Sequence, residues 1–332
     1  MSTKTYFSIG RKGKLAMAIL ATLSAGFLFP SLARASTSST EPITGDIKLT
    51  DDYSVNLSTG TGNYASKQGY SVLLTPKDDA TINIDMSGHD LNLTASSSSL
   101  DAYGATITQG GTWNVTNGKG KTITISAEGK DNAYGINMLG TSIDVDANLH
   151  IVKAAGTNEA FGIYADMGSK NVFKGDVTIE NVALTPDRHD GTYTAGIALW
   201  STGSEDENTS VTVQGKTTIK NSGDAIQIGS KRDVLTLGAA SLSINDNSVI
   251  TDKYHAVTNT FGTVYINIAR DGVTTGTTNI YGDIFSGSTT KTYLALTDAD
   301  STWVGSSDAN WGGGPRLAWH LPYPAEWCHL YQ

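Results

Sequence analysis

One short phrase returns along the chain at nearly constant spacing: Ala102-Tyr103-Gly104-Ala105, Ala133-Tyr134-Gly135-Ile136, Ala160-Phe161-Gly162-Ile163, Ala195-Gly196-Ile197, Asp224-Ala225-Ile226 and His255-Ala256-Val257. Aligned on Tyr103, Tyr134, Phe161, Ala195, Ala225 and Ala256, the steps are 31, 27, 34, 30 and 31 residues. A period held in this range restricts the chain to folds in which each repeat packs mainly on its neighbours.

Between the marks run short stretches with one apolar face. Ile82 with Ile84, Leu91 with Leu93, Ile123 with Ile125, Ile143 with Val145 and Val177 with Ile179 alternate with polar residues, and so do Val211 with Val213, Leu235 with Leu237, Leu242 with Ile244, and Val264 with Ile266 and Ile268. Period two with polar partners describes strands that bury one face and wet the other. Each period holds about three such strands, separated by turns rich in Gly, Asn and Asp. Helical patterning is absent after residue 35.

The expected fold is therefore all-β: a right-handed parallel β-helix of about 30 residues per coil, with strands stacked about 4.8 Å apart around a central apolar column. A β-propeller is the competing repeat fold, but its blades need about 40 residues and four strands each. Tyr103, Tyr134 and Phe161 suggest an aromatic ligand platform. The better reading is that equivalent rings in successive coils stack on one another inside the solenoid.

The two ends depart from this pattern. Residues 1–35 combine a basic start (Lys4, Arg11, Lys12, Lys14), an apolar run from Leu15 to Leu28 and the small pair of Ala33-Arg34-Ala35, the layout of a cleavable signal peptide. The run is short for a bilayer crossing and is broken by Thr22, Ser24 and Gly26. No later stretch is apolar enough to span as a helix, so export of the remainder is expected. Net charge is −9, and losing the five basic residues of 1–35 leaves −14, a balance that disfavours nucleic acid and anionic lipid surfaces as partners. Cys328 is the single cysteine, so no internal disulfide forms. From Trp311 onward Pro315, Pro322 and Pro324 join Trp319, Trp327, Cys328 and His329, and the repeat stops. The chain thus divides into a signal peptide (1–35), a β-helix (36–305) and an atypical Pro- and Trp-rich tail (306–332), the tail being read as a truncated or out-of-frame end in preference to a capping segment.

These features resemble the passenger domains of bacterial autotransporters, the self-exporting proteins of type V secretion. The likeness rests on the basic-start signal, the Thr-, Asn- and Gly-rich coils, and the phrase Leu296-Thr297-Asp298-Ala299-Asp300-Ser301-Thr302-Trp303-Val304-Gly305, which is similar to those that end passenger stacks. It implies a pertactin-like β-helix displayed at the cell surface or secreted, often in adhesion, with host or neighbouring-cell surface molecules, protein or glycan, as partners. It also implies an outer-membrane barrel in a full-length relative. The alternating strands of about 10 residues that such a barrel needs are not found in this sequence, which makes the periplasm a possible destination.

Polysaccharide lyases share this fold and work with clustered carboxylates, Ca²⁺ and a base, so an enzyme is the rival reading, with a passive spacer as the third. Asp144 and Asp146 alternate on one strand and Asp176 lies about one period on, but these read more simply as wet partners of Val145 and Val177. No nucleophile elbow, zinc-protease, Walker or EF-hand motif occurs, and the six histidines are scattered, so no catalytic residue, cofactor or metal site is expected. Two insertions exceed what a corner requires. One carries Asp187, Arg188, His189 and Asp190, the other Glu205, Asp206 and Glu207. Flanking one repeat mark, they are the expected partner-binding loops, and the acidic one offers oxygens for weak Ca²⁺ contact.

Overall fold

The computed structural model describes residues 37–57, 65–66, 69–75, 78–184, 194–201, 208–244, 254–305 and 328–329. Residues 1–36, where a signal peptide is expected, and most of segment 306–332 lie outside them. The described residues are strands, turns and bends with no helix, and their two sheets hold 18 and 9 strands. Pairing is parallel throughout except at two short segments. Ala65–Ser66 runs antiparallel to the first strand of the smaller sheet, and Cys328–His329 runs antiparallel to Tyr293–Leu294 in the larger one.

The strands fall into three stacked columns, the pattern of a parallel β-solenoid. The first column is the smaller sheet: Gly69–Leu74, Asp101–Ile107, Asn132–Leu139, Glu159–Asp166, Thr194–Trp200, Asp224–Ile228, Val257–Asn259 and Ile284–Ser286. The larger sheet supplies the other two, joined where Thr112–Glu128 and Ser142–Gly156 run through both. In the second column Ile82, Trp113 and Ile143 are in register, as are Val211, Leu235 and Val264 further along. In the third, Val55, Leu93, Ile125, Ile151, Ile179, Ile219, Leu242, Ile280 and Trp303 form one row through nine strands.

Every apolar residue of the alternating pairs named above is buried in this structure, from Ile82 and Ile84 to Val264 and Ile266. The reason is the two-residue period: alternate side chains point into one shared column, and stacking puts like on like. Polar corners hold adjacent coils together. Before the third column, Asp52 Oδ1 accepts the Asp90 N–H at 2.9 Å and Asp90 Oδ1 accepts the Thr122 N–H at 2.9 Å. Higher up, Asn148 Oδ1 accepts the Asp176 N–H at 3.0 Å and Asp176 Oδ1 that of Lys216 at 2.8 Å. Each of these side chains satisfies a backbone donor one coil away that a corner would otherwise leave unpaired.

The repeat phrase has a spatial meaning that its letters only partly convey. Its Ala faces the core, its aromatic residue faces out, and its Gly turns back in. A Cβ on Gly135 would lie 2.8 Å from Ile151 Cδ1, and one on Gly196 2.6 Å from Ile219 Cγ2. Only glycine lets the backbone approach the isoleucine row this closely. Two expectations need correction. Ala195 pairs with Asp224 and not Ala225, a step of 29 residues, and Ile226 then pairs with Val257, so the outward row continues through Asp224 and His255. The aromatic rings stack as expected, but outside the sheet and not within the central column.

Candidate functional site

On the outer side of the first column Tyr103, Tyr134 and Phe161 occupy equivalent positions in three successive strands. Register alone brings them together. Ring centroids of Tyr103 and Tyr134 are 5.1 Å apart at 14°, and those of Tyr134 and Phe161 5.6 Å apart at 29°. Tyr164, three residues beyond Phe161, meets Tyr134 edge-on at 5.6 Å and Phe161 at 5.3 Å. With Ala195, Ala198 and Trp200 these rings form a second apolar cluster, distinct from the core.

Carboxylates frame the cluster. Tyr103 Oη donates to Asp101 at 3.2 Å, Tyr164 Oη donates to Asp166 at 3.2 Å, and Tyr134 Oη donates to Glu159. Burial and the adjacent carboxylates push all three phenols upward, so they remain protonated donors over the physiological range. An open groove of about 490 Å³ runs along the edge of the stack, lined by Asp101, Asp131, Asn132, Asn137, Leu139 and the three tyrosines among others. Rigid aromatic pillars with an acid and amide rim suit recognition of hydroxyl-rich or cationic groups.

The predicted loop residues Asp187, Arg188, His189, Asp190, Glu205, Asp206 and Glu207 lie outside the described residues. Their anchors are described. The first insertion follows Leu184 and returns at Thr194, and the second leaves after Ser201 and returns at Asn208, so both are tethered to opposite ends of the strand Thr194–Trp200. That strand supplies Ala195, Ala198 and Trp200 to the outer cluster.

The base of the second insertion is tied to a buried acid. Gly168 N–H donates to Thr209 Oγ1 at 3.1 Å, Thr209 and Ser201 hydroxyls meet at 3.0 Å, and Ser201 Oγ donates to Asp233 Oδ1 at 2.5 Å. Asp233 is fully buried and its Oδ2 has no hydrogen-bond partner. Burial pushes its carboxyl up to about 6, Asp166 adds a like charge, and the bonds from Ser201 and the Thr209 backbone act the other way.

The carboxylates of the rival reading do not share a row. Asp144 is exposed and forms an ion pair with Lys174 at 2.6 Å, whereas Asp176 stacks on Asn148, two positions past Asp146. Among the described residues, no three His, Cys, Asp or Glu side chains gather as a metal-binding group, and no helix is long and apolar enough to cross a membrane. Tyr164, Trp200, Asp166 and Asp233 were not singled out by the sequence. Tyr164 and Asp166 pair with Asn137 and Leu139 one coil earlier, so no recurring residue type at those places marked them in the sequence.

No family model, curated protein or solved structure matches this chain.

Proposed function

We propose that this protein is an exported, right-handed β-helical binding scaffold of the autotransporter-passenger type, with about 30 residues per coil, acting in adhesion and not in turnover. The observation that supports this is the outer surface of the first column: aromatic pillars outside the core, framed by Asp101, Glu159 and Asp166, with both long insertions tethered to the adjoining strand. Right-handed crossover is the rule for parallel strands joined within one sheet. Partners are surface proteins or glycans of a host or neighbouring cell, held by many weak polar contacts across an extended face, with Asp187, Arg188, His189, Asp190, Glu205, Asp206 and Glu207 as the loop contacts.

Binding of the purified protein to immobilised glycans and matrix proteins tests the reading. Alanine substitution of Asp187, Arg188 and Asp190, or of Glu205, Asp206 and Glu207, should lower retention at least about tenfold, since a few residues dominate most interfaces. Retention unaffected by both sets, with turnover of a polysaccharide in the same preparations, would favour the lyase reading.

A further inference from the structure

The groove beside the aromatic stack carries charge of one sign. Asp101, Asn132 and Glu159 open three successive strands of the first column, and Asn132 lies opposite Glu159. Asn132 also donates to Asp101, at 2.9 Å through its backbone and at 3.1 Å through Nδ2. Asp131 adds a further carboxylate to the wall, and no residue lining the groove is basic. Glu159 stands behind the Tyr134 hydroxyl, and its negative charge, after burial, contributes to holding all three phenols protonated. Those phenol hydrogens are committed to carboxylates, so the groove offers an incoming group mainly acceptors.

One of these acceptors is an orphan. Register places Asn137 between Thr106 and Tyr164 in the next outward row of the same face. Its side chain lines the groove, and its Oδ1 is buried with no hydrogen-bond partner. Buried acceptors are nearly always paired, so an orphan beside a groove marks a place for an incoming N–H.

The rings narrow the choice further. Tyr134 is covered on one face by Tyr103 and on the other by Phe161, so it offers no open face on which a sugar ring could lie flat. Ring edges and Leu139 remain as apolar wall. That combination suits a flexible apolar stem that ends in a cation bearing N–H groups.

We propose that this groove receives a lysine or arginine side chain of a partner protein, its stem against the ring edges and Leu139 and its N–H groups donating to Asp101, Asp131 and Asn137 Oδ1. It rests on the binding-scaffold reading above and adds which group that surface selects. The chain's net charge of −9 steers basic partners toward it.

Titration of the full chain with octalysine, read by the side-chain amide signals of Asn132 and Asn137, tests this. Both signals should move and saturate. Octa-trimethyl-lysine, which keeps the charge and loses the N–H donors, should bind several-fold more weakly. Asp101→Asn with Asp131→Asn should weaken octalysine binding by about tenfold or more, because it removes both lining charges while the amides can still accept from Tyr103 and Asn132. Asp144→Asn with Asp300→Asn makes the same change of charge elsewhere on the stack and should leave binding within about twofold. Still amide signals in the unaltered chain would overturn the assignment whether or not the variants fold. Equal losses in the two variants, equal binding of the two peptides, or tighter binding of a glucosamine hexamer would overturn it as well. Octalysine binding without retention on matrix proteins would sink the adhesion reading and leave the groove assignment standing, and retention without octalysine binding would do the reverse.

Discussion

Gly162 lies so close to Ile179 that a Cβ on the glycine would fall 2.6 Å from Ile179 Cγ2, and 2.5 Å from the Gly196 carbonyl oxygen. The backbone contact cannot be relieved by a rotamer change, so Gly162→Ala should cost about 1–3 kcal/mol through overpacking. Trimming the partner, as in Gly162→Ala with Ile179→Ala, removes Cγ2, so the double change should cost less than the sum of the two single changes. Urea melts of the four-member cycle measure this coupling. Strict additivity would mean that the glycine is there for another reason.

Ile179 and Thr178 are sequence neighbours on opposite faces of one strand, the first fully buried and the second partly exposed. Ile179→Asp places an unpaired carboxylate in the core and should cost several kcal/mol, among the largest effects of a point change. Thr178→Asp should stay within about 1 kcal/mol. Because coils lean on their neighbours, exchange protection should fail first near Ile179 and persist at distant coils. Equal tolerance of both substitutions would contradict the burial pattern.

Asp233 gives stability a pH dependence opposite to that of an ordinary ion-paired carboxylate. Its carboxyl is raised from 3.8 to about 6 in the fold, so the folded state binds the proton more tightly than the unfolded chain. The resulting stabilisation is complete below about pH 4 and is lost as pH rises through 6, amounting to at most about 3 kcal/mol. Asp224 is shifted in the same direction, mainly by burial. Comparing wild type with Asp233→Asn in denaturant melts from pH 4 to 7.5 isolates the Asp233 share. The difference between them should change with pH across this interval, and a constant difference would refute the assignment.

Asn181 holds a left-handed backbone (φ 55°), accepts from Asn221 Nδ2 at 2.6 Å and donates to the Val152 carbonyl at 3.0 Å. Both causes stabilise the bend, and two substitutions separate them. Asn181→Ala loses the bonds and strains the backbone, whereas Asn181→Gly loses the bonds alone. Alanine should therefore be the worse by about 1 kcal/mol. Equal melting temperatures would assign the whole effect to the side-chain ladder.

The strands were legible because their burial follows a period of two, and pairs such as Leu235 with Leu237 needed no tertiary information. Parallel pairing followed from the repeat length. The aromatic stack was legible as a stack but not as to its side: Tyr103 and Gly104 take opposite faces of the strand, and the close approach of Gly104 to Ile125 shows which of the two faces is inward. The register slip at Asp224 arose from an alanine, Ala225, that resembles the mark but occupies the glycine row. Asp233 was hidden for a different reason. An Asp before a Val-Leu run reads as a wet corner, and its hydrogen-bond partner Ser201 lies 32 residues away, on the far side of an insertion.

The bonds that join successive coils all point along the stack, from Asp52 to Asp90 at the corners and from strand to strand in each column. Tension applied to the two ends would therefore load these contacts one after another instead of all together. Such a column yields like a zipper, releasing a coil at a time. In a single-molecule pulling trace each release lengthens the chain by roughly 100 Å, for about 30 residues at ~3.4 Å each. As an anchored tether it would give way gradually, absorbing work at every step before it let go.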